Sequence, residues 1–543
     1  MTVLAGPPLS EASGVGALTL GAFLAEVAGR HAGREALVFD DPLLGGRTVR
    51  WSYAELLDRS RLVAAALVAG GCPRGCRVAV LMGNRPEAVA ALFGAAMVGA
   101  VAVPLSTFAP PAELRFLLAD AGIDTVVTQT RMRDRAYAAE IGTLAPGLPF
   151  LRRVVAVGDS WDGFIESGKK VDPCAVDARA GHIVASDEGL IIYSSGTTSQ
   201  PKGVRHCHRA AALQFWLQAG IFGRHPGTRM WTSLPMFWTA GLNTAMGSTL
   251  AAGGCWVMQE HFEPGAALAL MERERVTEPY TLPHQTAALE EHPAWTTTDL
   301  SSLRCVFGKS AFARHPSVRG DTGWNMPVAY GLSETCTGFA SHRSDTPREL
   351  LRASSGRLLP GNRLRVVDPD DGQELGAGEI GELTIAGPTL MLGYVGHDAR
   401  DCFDDTGFFR TGDLGFFDED GYVHWTGRRS EMIKTGGASV SPAEIEVALR
   451  ACPPVKLARV LGVPDERLSQ MVVLCVVLKD GARAEPADIA AFLRERISSY
   501  KVPKRVLFFA DGEIPMTGSD TKVRDSELLS LVQARLSTDG VEP

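Results

Sequence analysis

The sequence predicts an α/β protein: a large N-terminal domain of parallel α/β sheets carrying a β-rich subdomain, then a small α+β C-terminal domain. Three observations predict it. Helical and strand patterns alternate through the first part of the chain, as in a largely parallel sheet. Between Gly361 and Arg428 helix gives way to short strands punctuated by Asp371-Gly372, Gly376 and Gly378. From near Ser430 a compact module of about a hundred residues, a common domain size, mixes helix and strand.

In chain order, Leu20, Phe23, Leu24 and Val27 recur at helical spacing. Ser52 and Glu55 make a capping box for a helix running to Gly70 and Gly71. Residues 77–82 read as buried strand, 85–100 as helix, 101–104 as strand, 111–120 as helix and 125–128 as strand. Residues 190–193 are an apolar strand, and Val204 onward reads as helix through Trp216. In the last module 443–451 and 486–497 read as helices, and 457–463 and 471–478 as strands; the tail after Leu536 reads as loose.

Composition narrows the classes. A 45% hydrophobic and 21% charged chain has the balance of a folded enzyme, not of a disordered segment. Its 543 residues make three to four domain-sized pieces, enough to bury several apolar cores. With 54 Lys and Arg against 62 Asp and Glu, the net charge of −8 argues against holding nucleic acid mainly by charge. No basic stretch precedes an apolar one at the start, which argues against a secretory signal. The longest apolar run, 88–104, is interrupted by Gly94 and Gly99 and is shorter than the ~20 residues of a spanning helix. It reads as a buried helix followed by a buried strand. The ten cysteines form no CxxC pair, so neither a zinc site nor a disulfide framework is expected. Cys72 and Cys76, the closest pair, read as two small apolar residues beside a turn. The expectation is a soluble, cytoplasmic protein.

The most informative segment follows the strand at 190–193: Ser194-Ser195-Gly196-Thr197-Thr198-Ser199-Gln200-Pro201-Lys202-Gly203. Strand, small-residue loop and helix start together would make an anion site, since loop amides and a helix N-terminus both favour phosphate oxygens. It is no Walker loop, because no Gly-Lys-Ser/Thr closes it. The chain's one Gly-Lys-Ser, Gly308-Lys309-Ser310, has Leu303 where the upstream glycine belongs.

The segment instead resembles the phosphate loop of the adenylate-forming superfamily: acyl-CoA synthetases, luciferase-like enzymes and peptide-synthetase adenylation domains. That loop usually reads Thr-Ser-Gly-Thr-Thr-Gly-x-Pro-Lys-Gly, and Ser199 replaces its second glycine here. Further segments follow in family order. Tyr330-Gly331-Leu332-Ser333-Glu334-Thr335 resembles the Tyr-Gly-x-Thr-Glu segment, which implies Tyr330 on the adenine, Ser333 at the α-phosphate and Glu334 on Mg²⁺. A hard, phosphate-bridging cation suits a carboxylate. Arg410-Thr411-Gly412-Asp413 implies Asp413 on both ribose hydroxyls, and Gly427-Arg428 implies Arg428 near the ribose or phosphates. Ile514-Pro515-Met516-Thr517-Gly518-Ser519-Asp520-Thr521-Lys522 resembles the loop that carries the adenylation lysine, with Asp520-Thr521 in place of one glycine and Lys522 as the lysine.

The resemblance implies domains at 1–429 and 430–543, the second mobile about a hinge near Ser430, with Gly436 and Gly437 approaching the site for a thiol step. It implies nucleotide contacts from Ser194, Ser195, Gly196, Thr197, Thr198, Lys202, Ser310, Ala311, Tyr330, Gly331, Ser333, Thr335, Asp413 and Arg428. Lys522, Glu334 and Thr197 would be catalytic. Trp238, Gly241, Gly308 and Lys309 would line the acid. In Pro235-Met236-Phe237-Trp238-Thr239-Ala240-Gly241, acyl-CoA synthetases often place His where Trp238 stands. No acid lies between Leu234 and Gly247 to pair a substrate ammonium, so an amino acid is disfavoured. The implied reaction joins an apolar fatty, aryl or polycyclic acid to coenzyme A, using ATP and Mg²⁺. The alternative is adenylate formation with transfer to a carrier protein or partner enzyme; a non-catalytic nucleotide-binding scaffold is the third reading. A homodimer is the expected self-association.

Overall fold

The computed structural model describes residues 3–194, 201–308, 310–319, 322–351, 354–429, 432–435, 438–465, 468–497, 501–516 and 523–538. Two mainly parallel sheets dominate the first part. The larger has the order Gly393–Tyr394, Lys202–Cys207, Glu188–Ser194, Val101–Pro104, Arg77–Leu81, Thr125–Gln129, Arg153–Val157. The other runs Glu278–Pro279, Arg229–Thr232, Cys255–Met258, Glu35–Asp41, Arg47–Ser52. The strand-helix alternation read from the sequence is present: Arg77–Leu81, Val101–Pro104, Thr125–Gln129 and Arg153–Val157 pair in parallel. Helices Leu20–His31, Tyr53–Ala69, Pro86–Met97 and His208–Phe222 fill one large apolar core. There Phe23 meets Phe215 and Trp216 edge-on, each at 5.0 Å.

The β-rich subdomain is a five-stranded antiparallel sheet, Leu4–Ala5, Arg363–Val367, Gly381–Ala386, Phe409–Phe417 and Val423–Arg428. The C-terminal module packs helices Pro442–Leu449 and Pro486–Arg494 on a sheet that includes Val455–Asp465 and Ser469–Leu478. Ser441 caps the first of these helices, and its hydroxyl donates to Thr426 O at 2.6 Å, tying the module to strand Val423–Arg428. Among the described residues no helix is long and apolar enough to cross a membrane. The apolar run resolves into helix Pro86–Met97 and strand Val101–Pro104.

Two expectations are corrected. Val204 does not open a helix. Lys202–Cys207 is a strand pairing antiparallel with Glu188–Ser194, Ser194 opposite Lys202, and the helix starts only at His208. Main-chain pairing to an existing sheet edge outweighs the weak local helical pattern, since tertiary context overrides propensity. In chain order the glycine-rich segment therefore falls between two strands, not between a strand and a helix start. Cys72 and Cys76 are joined as a disulfide: the turn between them brings their Cα atoms to 6.3 Å, a bridging separation that the spacing alone did not suggest.

Candidate active site

Parallel strands put their carboxyl ends at one edge, where α/β folds bind ligands. Val101–Pro104 and Glu188–Ser194 are parallel neighbours, so the segment after Ser194 leaves from that edge. One buried residue joins the corresponding edges of both sheets. The fully buried Arg85 guanidinium pairs with Asp41 at 3.0 Å, Glu87 at 2.9 Å and Glu260 at 3.4 Å. Gln129 donates to Glu260 at 3.0 Å and accepts from Gly83 N at 3.0 Å. Asn84 holds the proposed acid-pocket segment, donating to Leu234 O at 2.9 Å and accepting from Met236 N at 3.2 Å. None of these residues was singled out from sequence. A short polar stretch, Asn84-Arg85-Pro86-Glu87, between two apolar runs was the available signal.

Tyr330, Asp413 and Arg428 come together. Asp413 is 2% exposed; its Oδ2 accepts from the Tyr330 hydroxyl at 2.9 Å and its Oδ1 from Arg428 Nε at 3.0 Å. Glu382, on the neighbouring strand, steadies the Asp413 segment: it pairs with Arg410 and accepts from Gly412 N at 3.1 Å. Burial pushes the Asp413 carboxyl above its ordinary range, while Arg428 pulls the other way. Two acceptor atoms, each already aimed by a donor, suit a pair of vicinal hydroxyls.

Glu334 lies in the short turn Ser333–Thr335, and its Oε1 accepts from the Tyr394 hydroxyl at 2.7 Å. Thr335 is fully buried, and its hydroxyl accepts from Leu332 N at 2.9 Å, so it holds the turn that presents Glu334. The chain then takes positive φ at two non-glycine residues, Cys336 at 57° and Thr337 at 147°. Such strain persists only when neighbours over-determine it. Two fully buried amides do so. Gln214 donates to Thr335 O at 3.0 Å and Gly338 O at 2.6 Å; Asn243 donates to Cys336 O and, at 2.7 Å, to Thr337 Oγ1. Gly331 is required by close approach, since a Cβ there would lie 1.8 Å from Thr337 O.

Lys202 is exposed at the start of its strand, its Nζ 5.5 Å from the centre of the Tyr394 ring. Half-buried Trp238 follows buried Phe237; their rings meet at 5.8 Å, and exposed Phe108 lies edge-on to Phe237 at 5.4 Å. Gly241 also sits tight against main chain, with a Cβ placed 2.0 Å from Pro235 O. The Ser310 hydroxyl donates to Phe307 O at 2.9 Å and caps the short helix Ala311–Arg314, and Ala311 is packed in an apolar cluster. Gly308 is exposed. Ser195, Gly196, Thr197, Thr198, Lys309, Ser430, Gly436, Gly437 and Lys522 lie outside the described residues. Met516 and Val523, flanking the Lys522 segment, pair as an antiparallel bridge.

Among the described residues no group of three His, Cys, Asp or Glu could hold a metal by itself. A lone carboxylate supported by a hydroxyl nevertheless fits Mg²⁺, which commonly takes one or two carboxylates and fills its shell with phosphates and water.

The AMP-binding enzyme family model matches residues 24–395, and the model of that family's C-terminal domain matches 444–520. The first match alone spans more than half of the chain. The protein belongs to the AMP-binding enzyme family. This AMP-binding enzyme is 32% identical to an indoleacetate–CoA ligase of Aromatoleum aromaticum, over 94% of its own chain and 98% of that relative. It is 33% identical to a feruloyl-CoA synthase of an Amycolatopsis species, over 86% and 91% of the two chains. Its fold matches the crystal structure of ATP-bound MatB from Rhodopseudomonas palustris with a TM-score of 0.77 and 29% identity, covering 95% and 98%. It also matches the amide bond synthetase McbA from Marinactinospora thermotolerans, with a TM-score of 0.74 and 28% identity, covering 94% and 99%.

Proposed function

We propose that this AMP-binding enzyme activates an apolar carboxylic acid, fatty, aryl or polycyclic, with ATP and passes the acyl group to coenzyme A. The observation that carries the reading is the convergence on Asp413, whose two oxygens are held by Tyr330 and Arg428 as a ribose site would need. The ligase and synthase relatives, matched over most of both chains, support the same reaction.

In the first step an oxygen of the acid attacks the α-phosphorus of ATP, and pyrophosphate leaves. Both reactants are anions, so the protein's task is neutralisation and in-line placement. Thr197, Thr198 and Lys202 would hold the β- and γ-phosphates, Ser333 the α-phosphate, and Tyr330 the adenine. Lys522 would bridge the acid carboxylate and the α-phosphate as a compact cation. Glu334 would hold Mg²⁺, which supplies neutralisation of phosphate charge when bound. In the second step the thiolate sulfur of coenzyme A attacks the acyl carbonyl carbon, and AMP leaves. The domain 430–543 would turn about the hinge near Ser430, withdrawing Lys522 and bringing Gly436 and Gly437 inward. Half-buried Trp238 and buried Gly241 would line the acid, with Gly308 and Lys309 between the adenine and the acyl group. The proposal carries with it a cytoplasmic setting and a homodimer.

The test is a pyrophosphate-release screen over fatty, aryl and polycyclic acids, followed by mass detection of the acyl-CoA. Adenylate without thioester would shift the reading to transfer onto a carrier protein or partner enzyme. The Ser199 replacement, the residue inserted before Lys522 and the fold match to an amide bond synthetase favour keeping that second acceptor. Absence of pyrophosphate release with every acid would leave the scaffold reading.

A further inference from the structure

The two-residue strand Gly393–Tyr394 runs antiparallel to Lys202–Cys207, with Tyr394 opposite Val204. Main-chain bonds fasten it to two places at once. Val395 N donates to Gly203 O at 2.8 Å and Leu392 N to Arg205 O at 2.7 Å; Met391 N donates to Glu334 O at 2.8 Å. The strap therefore connects the strand that begins at Lys202 with the turn that carries Glu334. It needs glycine at its bend, because Gly393 has φ of 127°.

The Tyr394 side chain repeats the connection. Its hydroxyl donates to Glu334 Oε1 at 2.7 Å, and the Lys202 ammonium lies 5.5 Å from the centre of its ring. A neutral hydroxyl on one carboxylate oxygen fixes the group's orientation while leaving its charge and remaining lone pairs for a cation. A cation near an aromatic ring is likewise held without losing its charge. Among the described residues no ion pair joins Lys202 to Glu334. Direct pairing would cancel the two charges that a metal triphosphate requires; the tyrosine keeps both in place and apart.

We propose that Tyr394 is a positioning residue for the adenylation step: its hydroxyl sets Glu334 for the metal, and its ring sets Lys202 for the terminal phosphates. The inference rests on the reading of Glu334 and Lys202 given above. It was not legible in the sequence, where Tyr394 stands 60 residues from Glu334.

Two variants separate the halves, both made in the full chain. Tyr394→Phe removes the hydroxyl and keeps the ring; Tyr394→Leu removes both. Mn²⁺ affinity in the presence of a non-hydrolysable ATP analogue is read by electron paramagnetic resonance of the free ion. It is accompanied by AMP affinity without metal and by KM for ATP and for the acid. Tyr394→Phe is expected to weaken Mn²⁺ binding about 10-fold and to raise the half-saturating Mg²⁺ by a similar factor. AMP affinity and KM for the acid should stay at their wild-type values. Tyr394→Leu should raise KM for ATP several-fold beyond Tyr394→Phe. Wild-type Mn²⁺ affinity in Tyr394→Phe, with weakened affinity in Glu334→Gln, overturns the hydroxyl's role alone. Wild-type Mn²⁺ affinity in Glu334→Gln overturns the metal assignment and this inference with it. An equal loss of AMP and Mn²⁺ affinity in Tyr394→Phe would show a merely structural tyrosine. KM for ATP that is the same in both variants removes the ring's role.

Discussion

The Tyr330 hydroxyl donates to Asp413 Oδ2 at 2.9 Å across 83 residues of sequence, linking the segment that ends in Glu334 to the β-rich subdomain. Arg428 occupies the other carboxylate oxygen. On the proposed reading, the pair would set where a ribose lies before any nucleotide arrives. Asp413→Asn replaces one of two charged acceptor oxygens with a donor. It should weaken AMP binding about 10- to 100-fold, the worth of one or two hydrogen bonds to a charged group. Because burial raises the Asp413 carboxyl, AMP affinity should fall on acidification at a pH above the ordinary 3.8 of an aspartate. Isothermal titration from neutral to acid pH reads both effects; an Asn variant with the same acid limb would contradict them.

Gly331→Ala places a methyl group 1.8 Å from Thr337 O, on main chain that Gln214 and Asn243 already pin. Neither side can give way cheaply. The variant should lose more than about 2 kcal/mol of stability or lose AMP binding outright, as clashes against fixed backbone do. Urea unfolding together with AMP titration measures it, and wild-type values for both would refute the close approach.

Lys522→Ala should cut acid-dependent pyrophosphate release by about 10² to 10³-fold, as loss of one charge-stabilising donor does. AMP binding and conversion of supplied acyl-adenylate to thioester should persist. Rapid-quench assays of the two half-reactions separate them. Equal loss in both would remove the lysine's assignment to the first step.

His206 and His208 are fully buried, and burial pushes each down to about 4 from 6.5. A depressed histidine contributes stability that is complete above 6.5 and is lost as pH falls toward 4, because the unfolded chain binds the proton more tightly. Each should account for about 3 kcal/mol over that window. Among the described residues the His206 ring nitrogens make no close hydrogen bond, with only the Ser333 main chain near them, so His206→Leu should be at least as stable at neutral pH. It should also lose less on acidification than the wild type. Urea midpoints at pH 7 and pH 5 give the comparison; parallel losses would show that the fold does not lower the proton affinity of His206.

The sequence alone determined the architecture class, the alternation of strand and helix, and the family's motifs in order, because periodicity and short-range spacing encode them. Helix Tyr53–Ala69 and strand Arg77–Leu81 were legible from a capping box and an apolar run. Tertiary structure decided the rest. It turned Val204 to Cys207 into strand, since an open sheet edge at Glu188–Ser194 offered hydrogen bonds that outweigh local preference. It chose the partners of the site residues: Tyr394 for Glu334, Arg428 and Tyr330 for Asp413, and Gln214 and Asn243 for the strained turn. A side chain's identity states which bonds it can make, but which group comes within 3 Å is settled only when distant strands pack, and no local pattern carries that distance.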